Sequence, residues 1–442
     1  MKRALAIVAL VLAGWVNGGH SAPAETNIPV TLSEGFQKVL AHDPELLRLR
    51  KDVERATGTK LVFHARDLAQ FGVQPTVGLE GGSLYGNHSK FALVTAQFSQ
   101  PLLNAAIAPN WRRGNLEVLA TEQNLNAAIA GRLHEFRIYY IRAQRLQQLI
   151  ALYEEIDRRL QTNVLAEQQR REAGTTGPRP LLQAKVQLLS ERAELTGFRR
   201  EDFEVRSAMA EMMGQSPERL PLPTEPLARE KVNMDLKADT EAAERQRADL
   251  KFLRALIGMA KEDERVVGAD YFPYVSAIAS SLYIPGKRPV YQATPIIEGQ
   301  QPLGTDYRGG VNLTWQIIDN GRVTGVRRQI KGLREEYAIV LGQLQENIPR
   351  ELERISHSLE NADAKLNALE KSTTEADQGL KLIETRISLG EATQLDFSNA
   401  QRDLLSVRHG IVDALFQQAW AKADLDRVTG TYLEFAERVK GP

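Results

Sequence analysis

The chain has 442 residues, and its 56 basic and 56 acidic side chains leave no formal net charge. Because nucleic-acid partners require a basic surface, this balance argues against nucleic-acid binding. The sequence contains no cysteine, so we expect no disulfides, no thiolate metal site and no lipid on an N-terminal cysteine. The length suggests two or three domains, although one duplicated, elongated coiled coil would also use it fully.

The N-terminal residues have the pattern of an export signal. A basic start at residues 1–3 is followed by an apolar run over 4–16, and residues 22–24 match the small-residue pattern of a cleavage site. A membrane anchor is the alternative, but the apolar run is short for a membrane-spanning helix. We therefore expect a cleaved signal peptide over 1–24 and an exported mature chain.

The first half of the mature chain, residues 25–214, mixes helical and strand periodicity. Pro75 is expected to end the first helix, because proline cannot continue a helix interior. The helix after the hairpin would be about 100 Å long, far more than a globular core needs. The predicted elements are a helix over 31–70, a β-hairpin over 76–100 with its tip at 86–88, a helix over 105–173, a turn over 174–180 and a return helix ending at Gly214.

A proline-rich linker over 215–233 leads to a second half, residues 234–430, with the same order of elements. The loop between its strands, over 284–306, is longer, as loops are on the outer rim of outer-membrane barrels. Pro349 lies inside the second long helix, where we expect a kink. The predicted elements are a helix over 235–268, a β-hairpin over 274–318 with strands 274–283 and 307–318, a helical hairpin over 322–430 and a C-terminal tail over 431–442.

The two halves also match at a shift of 216 positions in the helical hairpins and of 215 further upstream, where Arg327 and Arg328 align with Arg112 and Arg113. Moving back 216 positions aligns landmark residues of the second helical hairpin with identical residues of the first: Arg386, Gly390 and Gly430 with Arg170, Gly174 and Gly214. The chain is therefore a tandem duplication.

The strands of the second half alternate apolar and polar residues, which places each class on one face. Polar residues such as Ser276 and Asn312 would face a water-filled lumen. A soluble β-layer packed on protein would show the same alternation, although aromatic residues near the strand ends favour a membrane barrel. The residues expected to face lipid are Val275, Ala277, Val311, Leu313, Trp315 and Ile317.

Four strands in one chain cannot close a membrane barrel, because the smallest such barrels have eight. An open sheet edge in lipid would leave backbone groups unpaired, at a cost of several kcal/mol each. Several chains must therefore share one barrel, and three chains would supply twelve strands whereas two would supply eight. The trimer is the more economical solution.

The duplicated order of helix, proline, β-hairpin, long helix, turn and return helix resembles the TolC-like outer-membrane efflux protein family. Each motif is weak alone, but their order and duplication cover nearly all of the mature chain. The motifs that carry the resemblance are residues 315–319 with Gly321, residues 386–390 with Leu395, Asp396, Ala400 and Gln401, and residues 425–430.

The resemblance implies a mainly α fold with a small β part. Duplicated long coiled-coil helical hairpins would form a periplasmic tunnel, and four strands per chain would contribute to a twelve-stranded outer-membrane barrel in a homotrimer. Such a protein is the exit duct of a tripartite efflux pump or type I secretion system in a Gram-negative bacterium. It conducts small molecules, metal ions or polypeptide passively, and the cargo is not indicated by the sequence.

The resemblance also implies partners: two further copies of the chain, outer-membrane lipid, a periplasmic adaptor (membrane fusion) protein and, through it, an inner-membrane pump. In the family the two helical turns dock the adaptor. The corresponding residues are Arg170, Gly174, Thr175, Thr176 and Gly177 in the first turn and Arg386, Gly390, Glu391 and Thr393 in the second.

Family members also carry acidic side chains after the second turn, which ring the closed periplasmic entrance. Asp396 matches one such position and Asn399 occupies the next, while Pro180 and Gln183 stand at the equivalent sites of the first half. A single acidic ring would remain, and three carboxylates on one axis would attract cations. The alternative role for Asp396 is that of an ordinary acid in the first turn of a helix.

Catalysis is not expected, and neither is a cofactor or metal site. The seven histidines are scattered without a pair at ligand spacing, and no nucleophile or phosphate-binding motif is present. The alternative function is that of a soluble periplasmic coiled-coil adaptor or scaffold. That alternative explains the export signal and the helical repeats but not the duplicated amphipathic hairpins.

Overall fold

A computed structural model describes residues 26–82, 86–216, 218–283, 305–389 and 391–440. The expected signal peptide over 1–24, most of the loop over 284–306 and Gly390 lie outside the described residues. The chain divides into two compact units. The helical unit contains the described residues that lie within 26–48, 128–247 and 348–440, and the strand unit contains those that lie within 49–127 and 248–347.

The described elements repeat the same order in both halves of the chain. The first half contains β1 (Thr26–Val30), α1 (Leu32–His42), α2 (Pro44–Ala65), β2 (Gln70–Gly82), β3 (Gly86–Leu103), α3 (Ile107–Glu172) and α4 (Pro178–Met212). The second contains β4 (Arg219–Pro223), α5 (Leu236–Gln246), α6 (Ala248–Gly268), β5 (Tyr274–Tyr283), β6 (Thr305–Thr314), α7 (Arg322–Ser388), α8 (Gln394–Thr429) and α9 (Thr431–Lys440).

The helix expected over 31–70 is two helices, α1 and α2, because Asp43 interrupts it. Its Oδ1 accepts hydrogen bonds from the backbone N–H groups of Glu45 (3.0 Å) and Leu46 (3.1 Å), as a residue that caps the next helix does. Its Oδ2 accepts from Arg132 Nε (2.9 Å) and Nη2 (2.6 Å). Asp43 is fully buried, and these bonds stabilise its charge there.

The helix expected over 235–268 is interrupted at the matching place, between α5 and α6. Arg247 stands there, and its Nη1 lies 3.5 Å from Glu351 Oε2 on α7. At this break the first half has an acidic residue, Asp43, which pairs with the basic Arg132. The second half has a basic residue, Arg247, which pairs with the acidic Glu351.

The linker expected over 215–233 contains a strand that the sequence did not predict. β4 pairs in parallel with β1, with Asn27 opposite Leu220. The buried side chain of Arg206 on α4 supports this pair, since its Nε donates to the backbone oxygen of Pro221 (2.8 Å) and its Nη2 to that of Leu220 (3.2 Å). The sequence pattern did not indicate a strand here, because two of its five residues are prolines, which are uncommon in strands.

The residues expected to be a C-terminal tail form helix α9. Tyr432 is 3% exposed, its ring contacts Phe36 edge to face, and its hydroxyl donates to the backbone oxygen of Ala423 (3.2 Å). The helix belongs to the core of the helical unit because it buries Tyr432 and Ala436 on one side.

The strand unit contains one antiparallel sheet with the strand order β2-β3-β5-β6. Strand β5 has the predicted bounds, but β2 begins at Gln70 instead of residue 76. Pro75 is tolerated inside β2 because this strand lies at the sheet edge. Gly82 pairs with Gly86, where β3 begins, so the hairpin tip expected at 86–88 is wrong, because these residues belong to a strand. Residues 83–85 lie outside the described residues.

Helix α7 runs through Pro349 as one helix, so the proline does not end it. The expected kink stays a prediction. None of the helices within the described residues is both long enough and apolar enough to cross a bilayer.

Candidate functional site

One face of the four-stranded sheet is apolar and exposed. Val275 lies opposite Leu313, and Ala277 lies opposite Val311, so these four predicted residues share one face. Leu313 is 62% exposed and Val311 is 66% exposed in the single chain. An exposed apolar surface of this kind requires a partner or lipid to cover it.

The same face continues across the other two strands. Phe98 lies opposite Ala279 on one side and opposite Phe71 on the other, and Val73 lies opposite Ala96. Phe71 is 71% exposed and Val73 is 56% exposed. The apolar surface therefore extends over the whole width of the sheet.

The opposite face is mostly polar. Ser276 lies opposite Asn312, and Ser280 has Gln97 on one side and Arg308 on the other. The alternation that the sequence predicted for β5 and β6 extends to the other two strands with exceptions. Ile278, Leu282 and Leu93 are apolar residues on the polar face, and Gln100 and Ser281 are polar residues on the apolar face.

Two residues predicted to face lipid, Trp315 and Ile317, lie beyond the end of β6, which stops at Thr314. Both are exposed. The indole Nε1 of Trp315 donates to the backbone oxygen of Tyr271 (3.2 Å), which connects the end of β6 to the turn before β5. The expected strand over 307–318 therefore begins two residues earlier and ends four residues earlier than predicted. Asp319 then caps α7, accepting from the backbone N–H of Val323 (2.8 Å).

The first helical turn is a glycine-terminated helix end. Gly174 has a φ of +72°, its N–H donates to the backbone oxygen of Arg171 (3.0 Å), and the N–H of Thr175 donates to that of Arg170 (2.9 Å). This pair of bonds defines a Schellman motif, which needs a residue without a Cβ at the left-handed position. Gly177 then caps α4 without a side-chain bond, and Thr176 lies between them.

The second turn repeats this geometry where it is described. The N–H of Glu391 donates to the backbone oxygen of Arg386 (2.8 Å), as Thr175 does to Arg170. Arg386 Nε also lies 3.8 Å from Glu391 Oε2. The predicted docking residues of both turns therefore occupy matching positions, with Gly390 outside the described residues.

Asp396 closes a capping box at the start of α8. Thr393 Oγ1 accepts from the N–H of Asp396 (3.2 Å), and the N–H of Thr393 donates to Asp396 Oδ2 (2.8 Å). The Thr393 hydroxyl and backbone hydrogen bonds, with Arg386 nearby, lower the pKa of the Asp396 carboxyl. The carboxylate is exposed while it caps the helix.

Asn399 stands one turn further along α8, where its side-chain oxygen accepts from Arg402. The capping role of Asp396 is an observed contact, whereas a gate role for Asp396 and Asn399 stays a prediction.

A groove of about 440 Å³ lies beside these residues, between the N-terminal parts of α4 and α8. Leu182, Val186 and Leu395 form its apolar wall, and each is more than half exposed. Ser398 Oγ donates to Gln187 Oε1 across the groove (2.7 Å). The sequence carries a signal for this groove, since Leu182 and Val186 are apolar residues one helical turn apart, beside the buried Leu181 and Ala184.

Within the described ranges, no group of three or more histidine or acidic side chains is placed to hold a metal ion.

Comparison with known proteins gives consistent matches. The model of the outer membrane efflux protein family matches residues 35–215 and 240–431, once in each half of the chain. The chain belongs to the outer membrane efflux protein family. No curated protein matches it.

Several solved outer-membrane channels share the fold of this outer membrane efflux protein. The Campylobacter jejuni CmeC channel superposes with a TM-score of 0.80 at 13% identity, covering 96% of this chain and 93% of that one. Vibrio cholerae VceC gives 0.75 at 18% identity, covering 90% and 96%. The open state of Neisseria gonorrhoeae MtrE gives 0.75 at 17% identity, covering 90% and 88%.

This outer membrane efflux protein is therefore an exit duct of the Gram-negative outer membrane that extends into the periplasm. Members of the family generally form trimers and work in tripartite pumps, and its structural neighbours are channels rather than enzymes. The alternative of a soluble adaptor or scaffold is not favoured.

Proposed function

We propose that three copies of this chain form one passive exit duct by sharing a single β-barrel. The observation that carries the proposal is the four-stranded sheet, which has one continuous apolar face and, among the described residues, neighbours on only one side of β2 and of β6. In lipid, the unpaired backbone groups of these two edge strands would each cost several kcal/mol. Pairing β2 of one copy with β6 of the next removes both edges, and three copies give twelve strands.

The polar face of the sheet would line the duct. Ser280, Gln97 and Arg308 form a hydrogen-bonding surface there without any cluster built for catalysis. We therefore infer a passive conduit for small molecules, metal ions or polypeptide.

The helical turns would dock the periplasmic adaptor, which links the duct to an inner-membrane pump or type I secretion system. The Schellman motif at Gly174 holds Thr175 and its neighbours in one fixed, exposed conformation. The groove with Leu182, Val186 and Leu395 adds an apolar surface beside the turns, as an adaptor contact requires. Asp396 and Asn399, just after the second turn, would ring the closed entrance.

Cross-linking between edge strands tests the shared barrel, because the chain has no cysteine of its own. The double variant Val73→Cys, Val311→Cys places one thiol on each edge strand of every copy. A short bifunctional maleimide should convert this variant in outer membranes into a covalent trimer, whereas either single variant should remain monomeric.

The control is Phe98→Cys, Ala279→Cys, whose two positions lie opposite each other within one chain. This pair should cross-link internally and keep the monomer mass. A covalent dimer as the final product would indicate an eight-stranded barrel, and an unlinked edge pair beside a linked control would overturn the shared barrel.

A further inference from the structure

A basic pocket lies in the strand unit, where the sheet is joined to the helices. It has a volume of about 730 Å³ and lies between the start of α3, the end of α6 and the start of α7. The charged side chains that line it are five cations and one carboxylate: Arg112, Lys261, Arg265, Arg327, Arg334 and Glu264.

The carboxylates at this pocket are shared and do not neutralise it. The carboxylate of Glu264 lies 2.7 Å from the guanidinium group of Arg334 and 3.5 Å from that of Arg327, so one negative charge is shared by two positive charges. Glu262 is buried and does not line the pocket, but it forms ion pairs with both Arg112 and Arg265.

Lys261 is exposed and has no ion-pair partner within the described part of the chain. Five cations thus face two carboxylates, in a protein whose formal net charge is zero. The positive charge is therefore a local feature of this pocket.

Some residues that line the pocket adjoin the end of the apolar face of the sheet. Tyr271 and Phe272 line it, and the backbone oxygen of Tyr271 accepts the Trp315 hydrogen bond at the end of that face. On the other side, Ala105 follows the exposed Leu103 at the end of β3. Aromatic residues at the end of a lipid-facing surface mark the level of the membrane interface.

We propose that this pocket binds the phosphate of an anionic phospholipid in the periplasm-facing leaflet of the outer membrane. The inference rests on the outer-membrane placement of the sheet. Guanidinium groups bind phosphate oxygens through paired, charge-assisted hydrogen bonds, and Lys261 adds an ammonium group without a competing acid. The acyl chains would lie along the apolar face that begins at Trp315 and Leu103.

A bound lipid of this kind would fix the depth of the barrel in the membrane. Its headgroup would connect α3, α6 and α7, which lie far apart in sequence, at the level where the strands end. Each of the three copies would carry one such site.

Native mass spectrometry of the detergent-extracted trimer tests this assignment, with phosphatidylglycerol and phosphatidylethanolamine as probes. The double variant Lys261→Gln, Arg265→Gln removes one ammonium and one guanidinium group from the pocket. The matched control, Lys251→Gln, Arg328→Gln, removes the same groups from exposed positions of α6 and α7 outside the pocket. The wild type and the control should bind phosphatidylglycerol with equal affinity. The affinity of the pocket variant should be about tenfold lower.

Three results would overturn the assignment. Equal phosphatidylglycerol binding by all three proteins would show that the pocket does not hold the lipid. Displacement of phosphatidylglycerol by an equal concentration of inorganic phosphate would indicate a site for free anions. A changed anion permeability of the pocket variant in planar bilayers, with unchanged lipid binding, would place these charges in the lumen. The same spectra report the trimer mass, so a failed lipid site is distinguishable from a failed trimer.

Discussion

A Cβ added to Gly214 would lie 2.8 Å from the Cβ of His42, so the end of α4 and the end of α1 meet without room for a side chain. The second half repeats this contact, since a Cβ on Gly430 would lie 3.0 Å from the Cβ of Gln246, at the end of α5. Both glycines also have positive φ angles, +63° and +84°. Two physical constraints therefore favour glycine at both positions: a left-handed backbone conformation, and the close approach of the end of a neighbouring helix.

Gly430→Ala should destabilise the protein by roughly 2 kcal/mol, because alanine must adopt a left-handed conformation and displace Gln246. Urea titrations at one fixed protein concentration would measure the change in the free energy of unfolding. The control is Gly197→Ala inside α4, where the added Cβ meets nothing within 4 Å and should stabilise by about 0.5–1 kcal/mol. Equal effects at both positions would refute this explanation of the motif.

Arg132→Met should cost about 3 kcal/mol, because it leaves the fully buried Asp43 carboxylate without its charged partner. Arg200→Met is the control, since Arg200 forms only an exposed pair with Glu204 and its loss should cost less than about 0.5 kcal/mol. The free energies of unfolding of the two variants give the comparison. Similar losses in both would mean that the helix break at Asp43 does not depend on this ion pair.

His134 should make the protein less stable in acid. Burial of its ring and the nearby Arg427 lower its pKa to about 4, although Asp424 lies 3.3 Å away. In the unfolded chain His134 becomes protonated near pH 6.5, whereas in the folded chain it stays neutral until about pH 4. The free energy of unfolding therefore falls as the pH drops from about 6.5 to 4. The midpoint of urea unfolding, measured across this range, should depend less on pH in His134→Gln than in the wild type. Identical pH profiles would exclude His134 as the source.

If Asp396 lines the entrance of the proposed trimer, Asp396→Asn should reduce the cation preference of the channel in planar bilayers, because it would remove three negative charges there. Asparagine can still accept the Thr393 hydrogen bond, so the start of α8 is preserved. Since the pKa of Asp396 is lowered, the cation preference of the wild type should persist through the ordinary titration range of aspartate and disappear only at lower pH. The exposed Asp403→Asn serves as the control on the same helix, and an equal effect there would contradict a gate at Asp396.

The sequence predicted the elements whose pattern is local and long. Period-two alternation located β5 with its observed bounds, and sustained helical periodicity located α3, α4, α7 and α8. Gly174 marked the first helical turn in the sequence, because the turn needs a left-handed backbone conformation there and glycine adopts it most easily.

The features that the sequence did not predict depend on contacts between distant segments. The buried ion pair between Asp43 and Arg132 joins distant segments, and β1 depends on a strand in the linker. The helix break itself carried a local signal, because Pro44 is the first residue of α2 and proline favours that position. The basic pocket combines residues such as Arg112, Lys261 and Arg327, which no local pattern connects. Ten of the twelve residues of the expected tail form helix α9, which packs on the core through the buried Tyr432.

The mass of the mature protein extracted from outer membranes tests the shared barrel most directly. Light scattering corrected for bound detergent should give three times the mass of one mature chain, found in the outer-membrane fraction. A monomer or dimer released with the soluble periplasmic proteins would contradict it, because the apolar face of the sheet would then have neither lipid nor neighbouring copies to cover it.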